Sequence, residues 1–104
     1  MEFDQLKGFY QVAKLKSFTE AAHKLYLTQP AISLQVKALE KELGEKLFER
    51  VGRRIKLTHA GEILYRLTEE IVGKMDEIRT VMEDLHKLER GRFILASSDT
   101  TSLY

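Results

Sequence analysis

Apolar side chains recur at helical spacing from the start of the chain. Phe3, Leu6, Phe9, Tyr10 and Ala13 alternate with polar residues in steps of three and four and predict a first helix. Ser17-Phe18-Thr19-Glu20 has the form of a capping box, in which the Ser17 hydroxyl accepts from the Glu20 N–H and the Glu20 side chain reaches back. It opens a second helix, to about Leu25, buried through Phe18, Ala21, Ala22 and Leu25. Tyr26-Leu27-Thr28 is long enough only to turn the chain. Thr28 then caps a third helix whose first turn tolerates Pro30, since the missing N–H would be unpaired there anyway. Gly44 is placed to end that helix as a left-handed cap after Leu43.

At about 100° per residue, Ile32, Val36, Leu39 and Leu43 share one side of the third helix and are assigned to the core. Pro30, Leu34, Lys37 and Lys41 lie opposite, with Gln29, Ser33 and Gln35 toward the edges. Next, Lys46–Glu49 and Ile55–Leu57 predict two short strands around a turn at Gly52. From Thr58 a single long helix to about Leu88 carries Leu64, Ile71, Ile78 and Leu85 at strict seven-residue spacing. Leu67, Val81 and Leu88 add a second seam position, Lys74 interrupts it, and Met75 and Met82 widen the stripe. Thirty residues span roughly 45 Å, too long to pack fully on a domain of this size. A partner helix is the natural cover, with a further part of the same chain as the alternative. Arg92–Ala96 reads as a strand and Ser97–Tyr104 as polar loop. The predicted organisation is a head over 1–58, a linker helix over 59–89, and a hinge with a first strand over 90–104.

Composition narrows the chemistry. A chain of 104 residues with 43% hydrophobic content supports one small core. With no cysteine there are no disulfides, thiolate metal sites or thiol nucleophiles. No apolar run is long enough to span a bilayer and no basic, apolar leader opens the chain, so a cytoplasmic, unanchored protein is expected. The net charge of +1 conceals an asymmetry. Residues 1–57 carry 11 basic against 7 acidic residues, +4, and residues 58–104 carry 6 against 9, −3. A basic front on an acidic rear suits a nucleic-acid-binding module attached to an assembly element. His23, His59 and His86 fall on separate helices at no metal-ligand spacing, and neither a glycine-rich phosphate loop nor a nucleophile motif is present. No enzymatic activity, cofactor or metal is expected.

Two helices joined by about three residues, followed by a hairpin, predict a mainly α fold, a winged helix-turn-helix with a long dimerisation helix behind it. Gln29 and Ser33, near the start of the third helix, can hydrogen-bond base edges, while Lys37 and Lys41 can reach phosphates. Arg50, Arg53 and Arg54 sit where a wing would meet a phosphate backbone, although a solvated turn would look the same. Leu34 is the odd residue on this face: it can pack on a thymine methyl, or be one of the exposed leucines that need no role.

Residues 3 to about 90 resemble the N-terminal domain of the LysR-type transcriptional regulators. The resemblance rests on Ser17-Phe18-Thr19-Glu20-Ala21-Ala22, Leu25, Thr28-Gln29-Pro30-Ala31-Ile32-Ser33, Gln35, Leu39-Glu40 and Leu43-Gly44. It continues through Leu47-Phe48-Glu49-Arg50, Arg53 and Leu57-Thr58-His59-Ala60-Gly61. It implies that the third helix enters the major groove of double-stranded DNA with contacts from Thr28, Gln29, Pro30, Ser33, residue 34 and Arg53. With Ser17, Gln35, Lys37, Arg50 and Arg54 these form the candidate DNA-contacting set. Leu34 stands where the family often has arginine, so a base read by that arginine is not assumed here. The resemblance further implies a homodimer through antiparallel linker helices, bridging Leu64, Leu67, Ile71, Met75, Ile78, Val81, Met82, Leu85 and Leu88, on inverted-repeat sites. It also implies tetramers of a longer protein, whose small-molecule effector domain would begin near residue 90 and lie mostly beyond Tyr104.

Overall fold

The computed structural model describes residues 1–94. Four helices and a two-stranded ribbon follow in the order α1 (Phe3–Leu15), α2 (Phe18–Lys24), α3 (Gln29–Leu43), β1 (Phe48–Val51), β2 (Arg54–Leu57) and α4 (His59–Ile94). This is the expected winged helix-turn-helix with a long helix behind it. Contacts divide the chain into two units, Met1–Glu70 and Ile71 onward, each taken by itself below.

The first unit closes around Leu6, Phe9, Val12, Ala21, Ala22, Ile32, Val36, Leu39 and Leu47. Three helices contribute because each presents one apolar stripe, and local caps stop them at the right lengths. Ser17 Oγ accepts from the Glu20 N–H at 3.0 Å, and Thr28 Oγ1 accepts from the Ala31 N–H at 3.2 Å. Only this first arm of the expected box at Ser17 is present among the described residues; the Glu20 carboxylate does not return to the Ser17 N–H. The turn after α2 has a structure of its own. Tyr26 adopts the left-handed conformation (φ 58°), its N–H donates to His23 O, and the Leu27 N–H donates to Ala22 O. These two bonds make a Schellman motif, with tyrosine where glycine is usual.

Two positions depart from the predicted packing. Leu43 is 39% exposed on the last turn of α3, and Leu47, 1% exposed, fills the core instead. Because Leu47 serves as this buried peg, the ribbon starts at Phe48 and not at Lys46. Phe48 then inserts between Phe9 and Phe18, with ring centroids 5.4 and 5.6 Å away, and fastens the wing to α1 and α2.

The entry into α4 is equally specific. Thr58 Oγ1 donates to Lys46 O at 2.6 Å and accepts from the Gly61 N–H at 3.0 Å, so one hydroxyl closes the ribbon and caps the helix. Gly61 is required by approach: a Cβ there would overlap the Leu47 carbonyl oxygen. Further along, Ala60, Leu64 and Tyr65 pack against the core, and Tyr65 stacks on Tyr10 with centroids 5.2 Å apart. Thr68 is fully buried, its hydroxyl satisfied by Leu64 O at 2.8 Å.

In the second unit α4 runs on to Ile94, past the predicted end at residue 89. Residues 92–94, expected to begin a strand, are helical. A helix satisfies its own N–H and C=O groups, whereas a lone strand leaves them unpaired. Residues 95 and 96 of that strand and the loop 97–104 lie outside the described residues. No helix among the described residues is long and apolar enough to cross a membrane.

Candidate nucleic-acid interface

The outward surface of α3 follows from its inward one. With Ile32, Val36 and Leu39 buried, the opposite side exposes Pro30, Leu34, Lys37 and Lys41, as the angular argument requires. Leu34 is 68% exposed. The two flanks differ. On one, Gln29 Nε2 donates to Ser33 Oγ at 3.1 Å, one helical turn apart. On the other, Gln35 Oε1 is buried and without a partner among the described residues, close enough to α1 that a Cβ at Gly8 would lie 2.8 Å from it. Of Gln35, the amide oxygen faces α1 and is not offered outward.

The ribbon sorts the three arginines that the sequence grouped together. Its register pairs Phe48 with Leu57, Glu49 with Lys56, Arg50 with Ile55 and Val51 with Arg54. Directly opposed residues share a face and neighbours along a strand alternate. Arg50 thus belongs to the face of Phe48, Ile55 and Leu57, while Arg54 and Lys56 belong to the other. Arg53 sits at the tip after Gly52, whose positive φ of 66° makes the tight turn.

A groove of about 290 Å³ runs between α3 and this inner face. Gln29, Ser33 and Lys37 line it from α3, Phe48, Glu49, Arg50 and Ile55 from the ribbon, and Lys46 and Glu40 also border it. Glu40 is already engaged there, accepting from the Leu47 N–H at 2.8 Å and lying 4.0 Å from Lys46 Nζ. Among the described residues Lys37, Arg50, Arg53 and Arg54 have no carboxylate partner. Free cations beside donors and acceptors suit a polyanion that also displays hydrogen-bonding edges.

Ser17 and Thr28 spend an acceptor site on capping but keep their hydroxyl protons, and Thr28 is exposed at the mouth of α3. Tyr26, in the turn before α3, is not among the candidate contacts. It is 94% exposed beside that mouth, and a tyrosine flanked by turn residues gave no periodic signal to find it by. The perturbed groups lie away from this surface. Burial, then the neighbouring Tyr10, raises the Tyr65 phenol above its usual range, and a hydrogen bond to Glu42 raises the N-terminal amine. No group of three metal-ligating side chains gathers among the described residues.

In the second unit Ile71, Ile78, Met82, Leu85 and Leu88 are exposed and Met75 and Val81 half-buried, with Ile78 63% exposed. Of the proposed seam, Leu67 is exposed on the head's stretch of α4, whereas Leu64 is half-buried against the head's own core and has less surface left for a partner.

Comparison with known proteins matches this arrangement. Residues 3–62 match the bacterial regulatory helix-turn-helix protein, lysR family. The "Probable RuBisCO transcriptional regulator" of Cyanidioschyzon merolae is 40% identical over 101 residues, which are 97% of this chain and 33% of the relative. The chain thus spans about a third of the length of that curated relative. Among solved structures, the BenM_DBD/catB site 1 DNA complex superposes with a TM-score of 0.76 at 35% identity, covering 83% of this chain and 96% of that one. The CbnR_DBD-DNA complex gives 0.71 at 36%, covering 83% and 99%. By the match over residues 3–62, and by a fold that superposes on solved DNA-binding domains, the chain belongs to the LysR family of bacterial regulatory helix-turn-helix proteins and carries that family's DNA-binding head.

Proposed function

We propose that this chain binds inverted-repeat promoter DNA as a homodimer and regulates transcription from it, with α3 in the major groove and the wing, residues 50–54, on the flanking backbone. The observation that carries the proposal is the groove in which Gln29, Ser33 and Lys37 face Arg50, with Arg53 at the tip beyond it and none of these cations ion-paired among the described residues. Solved relatives described as DNA complexes support the same reading. Gln29 and Ser33 act on base edges; because they are hydrogen-bonded to each other, they meet the bases as one preset pair. Thr28, Ser17, Lys37 and the three arginines act on phosphates, which position the head without reading sequence. Pairing through α4 sets the spacing of two heads, supported by the apolar stripe from Ile71 to Leu88.

Salt dependence tests this. Affinity for a promoter duplex should fall steeply with salt, with a log–log slope of about −0.9 per phosphate neutralised. Arg53→Ala and Arg54→Ala should each make the slope shallower by about 1 and weaken all duplexes alike. Gln29→Ala should instead flatten discrimination between sites. A flat salt dependence would refute DNA binding and favour a protein-docking role for the head.

A further inference from the structure

We infer that Leu34 selects a pyrimidine bearing a C5-methyl group, thymine in ordinary DNA, at one position of each half-site. This rests on α3 being the reading helix. Leu34 lies nearly opposite Ile32, Val36 and Leu39 and is 68% exposed, the more exposed of the two large apolar side chains of α3 that face solvent. It is absent from the core and from the residues packed against it, so the fold of the head makes no use of its branched end.

Its surroundings leave that end by itself. Pro30, one turn earlier on the same face, has no N–H and no polar side chain. Gln29 and Ser33, the base-reading pair, stand on one flank, and on the other Gln35 turns its oxygen to α1. Lys37 and Lys41, the cations further along this face, reach outward to phosphates, so the spot that Leu34 itself covers offers neither donor nor acceptor. Pressed against a purine N7, a guanine O6 or an amino group, Leu34 would strip water from a polar atom and return no hydrogen bond, which is costly. The one apolar group that base pairs display in the major groove is the thymine methyl. Seated there, both surfaces leave water together. Selectivity arises as much from rejecting the other edges as from attracting the methyl.

The test isolates one methyl group. Duplexes selected from random DNA by the full chain are resynthesised with each half-site thymine replaced singly by deoxyuridine, and binding is measured for the unaltered protein and for Leu34→Ala. A single deoxyuridine at that position should weaken binding by about three- to tenfold, the scale of one buried methyl, and should leave Leu34→Ala binding unchanged. At the same position 5-methylcytosine should bind better than cytosine, because the methyl and not the thymine O4 is read. A scan in which no single deoxyuridine matters, or in which Leu34→Ala suffers the same loss, overturns this inference and leaves the DNA reading standing. Failure to select any duplex overturns that reading and this inference with it. Leu34→Ala deletes an exposed side chain, so the variant folds.

Discussion

The head, Met1–Glu70, and the part of α4 from Ile71 on use the same apolar residue types to opposite ends. In the head, stripes on α1, α2 and α3 find one another, and Phe9, Val12, Ile32, Leu39 and Leu47 lose almost all contact with water. Beyond Glu70 a comparable stripe, Ile71, Ile78, Met82, Leu85 and Leu88, stays exposed on one helix. A single helix cannot bury its own face, so periodicity alone does not tell a core from an interface; the number of elements available to close over the stripe does. The head reads as a self-sufficient domain, the distal helix as half of something.

The largest expected effect tests the first half of that contrast. Leu47→Ala should cost about 2–5 kcal/mol, the range for a buried leucine, measured by urea denaturation; a loss under about 1 kcal/mol would show that the ribbon needs no peg. Charging the distal stripe should act differently. Ile71→Glu with Ile78→Glu should give monomers in sedimentation and abolish cooperative half-site binding, yet leave the head's own unfolding transition in place. A dimer that persisted would refute the seam. Thr58→Ala, which removes both the ribbon clasp and the α4 cap, should cost about 1–2 kcal/mol. A change confined to the melting of α4, with the ribbon intact, would show that the cap alone matters.

The smallest effect lies at alkaline pH. Tyr65 has its folded pKa raised above the usual 10.0 by burial and by Tyr10. Folding therefore favours the neutral phenol, and its contribution is complete below pH 10 and lost as pH rises from there through the folded value. Tyr65→Phe should flatten that limb of the stability curve; an unchanged limb would place its origin elsewhere.

Much of this was legible residue by residue. Thr28, Pro30 and Gly44 mark the ends of α3 because capping and the left-handed cap depend only on the local chain. The outward set Pro30, Leu34, Lys37 and Lys41 follows from helical angle. What escaped required neighbours distant in sequence. Leu43 and Leu47 look alike as apolar residues near a helix end, and only packing sends the second inward. Gln35 and Gln29 are the same residue type on opposite flanks, and the approach of Gly8 of α1 decides which has its amide oxygen buried. Arg50, Arg53 and Arg54 form one cluster in the sequence, but strand register places Arg50 on the inner face and Arg54 on the other. The left-handed conformation of Tyr26 that ends α2 in a Schellman turn had no glycine to announce it.

The amino-acid sequence by itself determined the kind of elements, their caps, the basic front and the heptad stripe, because each depends on spacing within one element or on summed charge. Tertiary structure alone decided which stripe becomes core, which flank of α3 is free, and which arginine shares a groove with Gln29 and Ser33. Those choices depend on a second surface arriving at the first, and no local pattern records where that surface comes from.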